Sequence, residues 1–208
     1  MTKYKLVIAG ALAAVSVGSL AGSASATTPT KCSSGSTMSA TSSLRVFQVT
    51  TKGKKGSSTQ TAYSCAWNAK KPVKLITHKT NGATGFLSQL QDAQIGSDHW
   101  VAVNELLQVG PDNKNTLHVF SLPSGKQTFS WTSGLDEHVQ YAVSKDGGLL
   151  VDHNDGAGEL LAFDATGKHT LLTYASGAQP QDVTIAGNTA YWRLPDGPHS
   201  FKLTGAAK

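Results

Sequence analysis

Between Thr27 and Gln91 the chain has no Asp and no Glu, although that stretch carries nine cations, Lys31, Arg45, Lys52, Lys54, Lys55, Lys70, Lys71, Lys74 and Lys79. All thirteen acids fall from Asp92 onward, against seven cations, so carboxylate chemistry belongs to that later part. Such a dipole bears on partners and solubility, not on fold. Cysteine is nearly absent, with Cys32 and Cys65 alone, which leaves no thiol cluster for a metal. After the first 20 residues no apolar run is long enough to span a bilayer. Neither a Gly-x-Ser-x-Gly elbow nor a His-Glu-x-x-His pair occurs in the part following the leader, which removes the commonest serine-hydrolase and zinc-hydrolase signatures. Aromatics make up only 7% of the 208 residues, and their four Trp are expected in the core.

What is present begins with a leader. Lys3 and Lys5 precede the apolar run Leu6 to Leu20 and the small-residue site Ala24-Ser25-Ala26. That order is the pattern of a secretory signal peptide spanning 1–26, with the mature chain starting at Thr27 and no membrane anchor after cleavage. The residues ahead of Cys32 do not form a lipobox, and no twin-Arg pair precedes the apolar run. Export to an oxidising space predicts a Cys32–Cys65 disulfide that ties an N-terminal segment, 27–42, to an early strand of the domain at 43–208.

From Ala40 to Thr204 short apolar runs alternate with Gly, Asn, Asp, Ser and Pro, which predicts an all-β chain of short antiparallel strands. Candidates include Leu44 to Val49, Trp100 to Val103, Leu117 to Phe120, Leu149 to Val151 and Thr189 to Trp192. Ser124-Gly125-Lys126, Lys145 to Gly148, Ala165 to Lys168 and Ala186-Gly187-Asn188 supply hairpin turns. The pattern repeats about every 40 to 45 residues. Gln91-Asp92-Ala93-Gln94-Ile95 returns as Gln181-Asp182-Val183-Thr184-Ile185, and His118 to Lys126 matches Leu161 to Lys168 and, more loosely, His199 to Gly205.

On these units the chain resembles the β-propeller repeat proteins, in the TolB-like or YVTN-like manner where a strand ends in a turn such as Asp164-Ala165-Thr166-Gly167-Lys168. The resemblance covers Gln91 to Leu203 in three units, with Ser43 to His78 as a weaker fourth. It implies a small propeller of about four blades, incomplete or closed by the N-terminal segment. An open, twisted β-stack that dimerises and an unrelated β-sandwich are the alternatives, since about 180 residues suffice for four blades at most. A hemopexin-like assignment fails because that family's disulfide joins first and last blades, whereas Cys32 and Cys65 both sit at the first.

A propeller would gather Asp92, His138, Gln140 and Asp182 at one channel mouth, beside Lys52 to Lys55, Pro111 to Asn115, Asp155 to Gly158 and Pro195 to Pro198. Two carboxylates and a histidine there would hold a polar ligand, while Asp at a strand start also caps turn N–H groups. The acid–His neighbours Asp98-His99, Glu137-His138 and Asp152-His153 point to opposite faces of a strand and make no dyads. Asp152 to Glu159 reads as a hairpin loop, because its oxygens miss the alternate positions of a calcium loop. No cofactor and no metal is expected.

Three functions follow. The first is a secreted, non-enzymatic binding protein whose Lys52, Lys54 and Lys55 and basic first third meet an anionic wall polymer, polysaccharide or acidic protein, with no nucleic-acid partner. The second is a carbohydrate-active or other hydrolase pairing Asp92 with Asp182. The third is self-association, acidic C-terminal portion on basic N-terminal portion.

Overall fold

The computed structural model describes residues 32–67, 69, 71–80, 86–109, 112–135, 138–154, 157–175 and 177–208. The leader, Pro111, Glu137, Asp155 and Gly156 lie outside the described residues. Among the described residues fifteen strands form four separate antiparallel sheets, each a simple meander. The first holds β1 (Ser36–Ala40), β2 (Leu44–Lys52), β3 (Ser58–Ala66) and β4 (Val73–Thr80). The second holds β5 (Phe86–Ser97), β6 (Trp100–Val109), β7 (Asp112–Ser121) and β8 (Lys126–Thr132). The third holds β9 (His138–Val143), β10 (Leu149–Asn154), β11 (Gly158–Asp164) and β12 (Gly167–Tyr174). The fourth has three strands, β13 (Gln181–Ala186), β14 (Thr189–Leu194) and β15 (Gly197–Lys202). No α-helix occurs among the described residues, and none there is long and apolar enough to cross a membrane.

The sheets stack face on face, and three apolar layers lie between them. Leu44, Val46, Ala62 and Leu75 of the first sheet meet Leu90, Val101, Val103 and Phe120 of the second. Ala102, Leu117 and Val119 meet Leu149, Val151, Leu161 and Phe163 of the third. Leu150, Leu160 and Ala162 meet Ala190, Trp192 and Leu203 around the fourth. Strands in the middle of the stack therefore bury both faces, which is why Leu160-Leu161-Ala162-Phe163 is continuously apolar. In β14 buried Ala190 and Trp192 alternate with exposed Tyr191 and Arg193, the signature of a sheet covered on one side.

That last pattern corrects the propeller expectation. Three of the units are four-stranded meanders and the fourth has three strands, but no sheet is closed, and no apolar cluster among the described residues joins the fourth sheet to the first. Thr184, Tyr191, Arg193, Ser200 and Lys202 leave the outer face of the fourth sheet exposed. The outer face of the first sheet, with Phe47, Tyr63 and Cys65, has the N-terminal segment against it. There Cys32 is bonded to Cys65, as the cysteine count suggested, with the two Cα atoms 5.6 Å apart. The buried Arg45 guanidinium donates to the carbonyls of Cys32, Ser34 (3.1 Å) and Gly35 (3.0 Å). A surface engaged in this way does not serve as the mate of a last blade. The architecture is an open, sandwich-like stack.

Successive sheets are held in register at their turns. Gly96 in β5 lies so near β9 that a Cβ there would stand 2.2 Å from the Ser144 carbonyl oxygen, so only glycine allows this approach. Asp164, almost fully buried, closes the junction of the third and fourth sheets. Its Oδ1 accepts from the Thr166 N–H (2.7 Å) and hydroxyl (2.6 Å), and its Oδ2 from the Thr204 N–H (2.8 Å). Burial opposes the charged form of this carboxyl, but those donors and His169 outweigh it and hold its pKa well below the usual range.

Candidate functional site

Residues of the second sheet and of β9 in the third line a cleft of about 400 Å³. Gln91, Asp92, Asn104, Asn113, Asn115 and His138 line it, with Leu106 and Val139 as its apolar wall. Two of the expected site residues, Asp92 and His138, thus come together. Gln140 stands with them, its Nε2 3.4 Å from His138 Nε2. Asp92 follows a bulge at Gln91 that breaks the β5–β6 register, and bulges re-aim side chains. Its Oδ1 accepts from the Tyr141 hydroxyl. Burial, then the charge of Asp92, pushes the Tyr141 phenol well above its ordinary pKa, so Tyr141 is a donor here and not a base. Asn104 donates to Gln91 Oε1 (3.2 Å), while its own Oδ1 is buried without a partner among the described residues.

Asp182 is not in this cleft. It occupies an equivalent bulge in β13, with a positive φ of 54°, and pairs with Arg193 at 2.5 Å on the exposed face of the fourth sheet. β9 packs against both β5 and β13 and so stands between the two carboxylates. The repeated Gln-Asp dipeptide therefore marks a repeated bulge, not a shared site. Lys52 and Lys54 are exposed at the β2–β3 turn, where Lys54 to Gly56 form one 3₁₀ turn that also contains the backbone of Lys55.

Asp152 and His153 point to opposite sides, as their adjacency requires. Asp152 accepts from the buried Tyr174 hydroxyl on the fourth-sheet side, and burial raises its pKa despite that hydrogen bond. His153 packs on Trp131 on the second-sheet side, the ring centroids 5.1 Å apart. Of the four Trp expected in the core, Trp192 is buried and Trp100 and Trp131 partly so, whereas Trp67 is 51% exposed.

No protein-family model matches the chain, and no curated protein matches it significantly.

One polar cluster has almost no sequence signal. Glu105, an acid inside the apolar run Trp100–Val109, bridges two histidines between the first and second sheets. Its Oε2 lies 2.9 Å from His118 Nε2, and its Oε1 meets His78 Nδ1. The hydrogen bond from His118 leads in lowering the Glu105 pKa, against the opposing effect of burial. Ser88 Oγ lies 3.3 Å from the same His78 nitrogen, and His78 Nε2 has no partner among the described residues. A relay needs the hydroxyl on one ring nitrogen and the acid on the other. With both on Nδ1, these side chains do not compose a nucleophilic triad. Nor do three or more His, Cys, Asp or Glu converge as a metal site among the described residues. Residues 78, 105 and 118 meet only through strand pairing and sheet stacking, which explains why spacing did not reveal them.

Proposed function

We propose that this chain is a secreted, non-enzymatic binding protein that holds an anionic polymer on its first sheet. The supporting observation is the make-up of that sheet and its connecting loops: Lys52, Lys54, Lys71, Lys74 and Lys79 are exposed, and no carboxylate belongs to the segment from β1 to β4. None of these lysines makes an ion pair among the described residues. Lys74 pairs with Tyr63 and Lys79 with Thr59, so the bulge between them sets both on the outer face of the edge strand β4. Four residues of β3 separate their partners, about 14 Å along the strand. A row of free cations at that spacing suits an extended polyanion better than a compact ligand. Arg45 is not part of the surface, because its guanidinium is committed to three backbone carbonyls. Export is supported by the leader pattern and by the Cys32–Cys65 bond, a linkage favoured in oxidising compartments.

The hydrolase alternative needs two carboxylates about 5 to 10 Å apart on either side of one bond. Asp92 and Asp182 each have their own partner, with β9 between their strands. The test is retention of the mature chain on beads bearing a polyuronate or a poly(glycerol phosphate). Bound polyanion releases counter-ions, so retention should fall steeply from about 50 to about 200 mM salt. Absence of retention, or retention indifferent to salt, would contradict the proposal.

A further inference from the structure

At the opposite end of the first sheet from Lys52 and Lys54 lies a hollow of about 370 Å³, lined by Ser42, Ser43, Leu44, Ala66, Trp67 and Asp98. We infer that it is a binding subsite for one neutral pyranose ring, with Trp67 as its stacking platform and Asp98 as its hydroxyl acceptor. This goes beyond the polymer-binding proposal and does not rest on it.

The indole is exposed yet fixed. Its backbone N–H donates to the Ser43 carbonyl at 3.1 Å, and its Nε1–H donates to the Thr41 carbonyl at 3.0 Å. With the ring's one polar group already satisfied, what it offers a ligand is the apolar π-face. Thr41 is itself held by a turn in which its N–H reaches Leu44 O at 2.8 Å and its Oγ1 accepts from the Leu44 N–H at 3.1 Å. The platform is therefore set before any ligand arrives, which lowers the ordering cost of binding.

Asp98 comes from the second sheet, on the turn between β5 and β6. Its Oδ1 accepts from the Ser43 hydroxyl, so the carboxylate is tied across to the first sheet beside the indole. Oδ2 has no partner among the described residues. A pyranose presents C–H groups on its faces and hydroxyl donors at its rim. Stacking on Trp67 would bury the former, and a rim hydroxyl would donate to Asp98 Oδ2. Among the described residues of the lining Asp98 is the only ionisable group, and its charge repels uronates and phosphates and favours an uncharged sugar. Quaternary ammonium recognition uses an aromatic cage, and the described lining holds a single ring. The volume is at the small end of the range for small-molecule pockets, about 300–1,000 Å³, and suits one ring.

The test uses the whole mature chain and saturation-transfer NMR with methyl β-glucoside, methyl β-galactoside, methyl α-mannoside and the methyl glycoside of N-acetylglucosamine. Tetramethylammonium chloride is the cation control. At least one glycoside is expected to bind at about millimolar Kd, as a small ligand with few atoms should. Its ring C–H protons should receive the strongest transfer. Trp67→Ala should weaken binding about tenfold or more, and Trp67→Phe less. Asp98→Asn, a change on an exposed turn, provides a second variant whose fold is checked by circular dichroism, and it should weaken binding several-fold. Binding of none of the four glycosides, binding of tetramethylammonium alone, or a glycoside affinity unchanged in both Trp67→Ala and Asp98→Asn would overturn the inference.

Discussion

Replacing Asp164 by Asn should loosen the junction between the third and fourth sheets. The change keeps the side chain's volume and its Oδ1, which can still accept from Thr166. It converts Oδ2, now 2.8 Å from the Thr204 N–H, into an amide NH₂ that meets this donor with another donor. One charge-assisted hydrogen bond is lost and a backbone N–H loses its acceptor, which together cost about 2 to 4 kcal/mol. The neighbouring Ala165 N–H to Thr204 O bond, 2.9 Å, shares the same turn and would weaken with it. Urea unfolding followed by tryptophan fluorescence measures the difference. The pH dependence adds a second criterion. Asp164 has a folded pKa far below its unfolded value, so its contribution is fully present above about pH 4 and fades as pH falls toward the folded pKa. The gap between wild type and Asp164→Asn should accordingly be level from neutral pH down to about pH 5 and narrow below about pH 4. A variant as stable as wild type at pH 7, or a gap that does not change with acid, would refute this account of the junction.

Three further predictions concern stability. Serine at both Cys32 and Cys65 releases a cross-link of sequence separation 33 and should lower unfolding free energy by about 3 to 4 kcal/mol on the chain-entropy estimate, read from urea midpoints. Gly96→Ala sets a methyl against the Ser144 and Val143 carbonyls of the third sheet and should lower the midpoint markedly, by about 2 kcal/mol or more. Glu105→Gln removes the charge between His78 and His118 and should cost about 1 to 3 kcal/mol at neutral pH. Because the Glu105 pKa is lowered by folding, that loss should shrink as pH drops below about 4.

The strands and their turns were legible because each is encoded locally, and the disulfide because the chain has only two cysteines. Asp164 to Lys168 reads as a turn and is one, and the two Gln-Asp dipeptides mark two bulges at corresponding places. Ring closure was not legible, since it depends on what covers the outer faces of the first and last sheets. The Arg45 guanidinium and the carbonyls of Cys32, Ser34 and Gly35 settle that at the first sheet, and no repeat pattern records such a contact. Asp92 and His138 line one cleft, though not the channel mouth of a propeller, whereas Asp182 is separated from them by the intervening β9. Glu105 and its histidines escaped notice because sheet stacking, not spacing, assembles them. Trp67 escaped for the reverse reason: a bulky aromatic reads as core, and only its fixed, half-open setting shows otherwise.

The most direct measurement is the slope of log binding constant against log salt concentration for the mature chain and a soluble polyanion. It should be compared with a variant carrying Gln at Lys52, Lys54, Lys74 and Lys79. If these four cations contact the polymer, each should remove about 0.7 from the magnitude of the slope, so the variant should bind more weakly with a slope shallower by about 3. Equal slopes for the two proteins, with both folded, would contradict the claim that the first sheet is the binding surface.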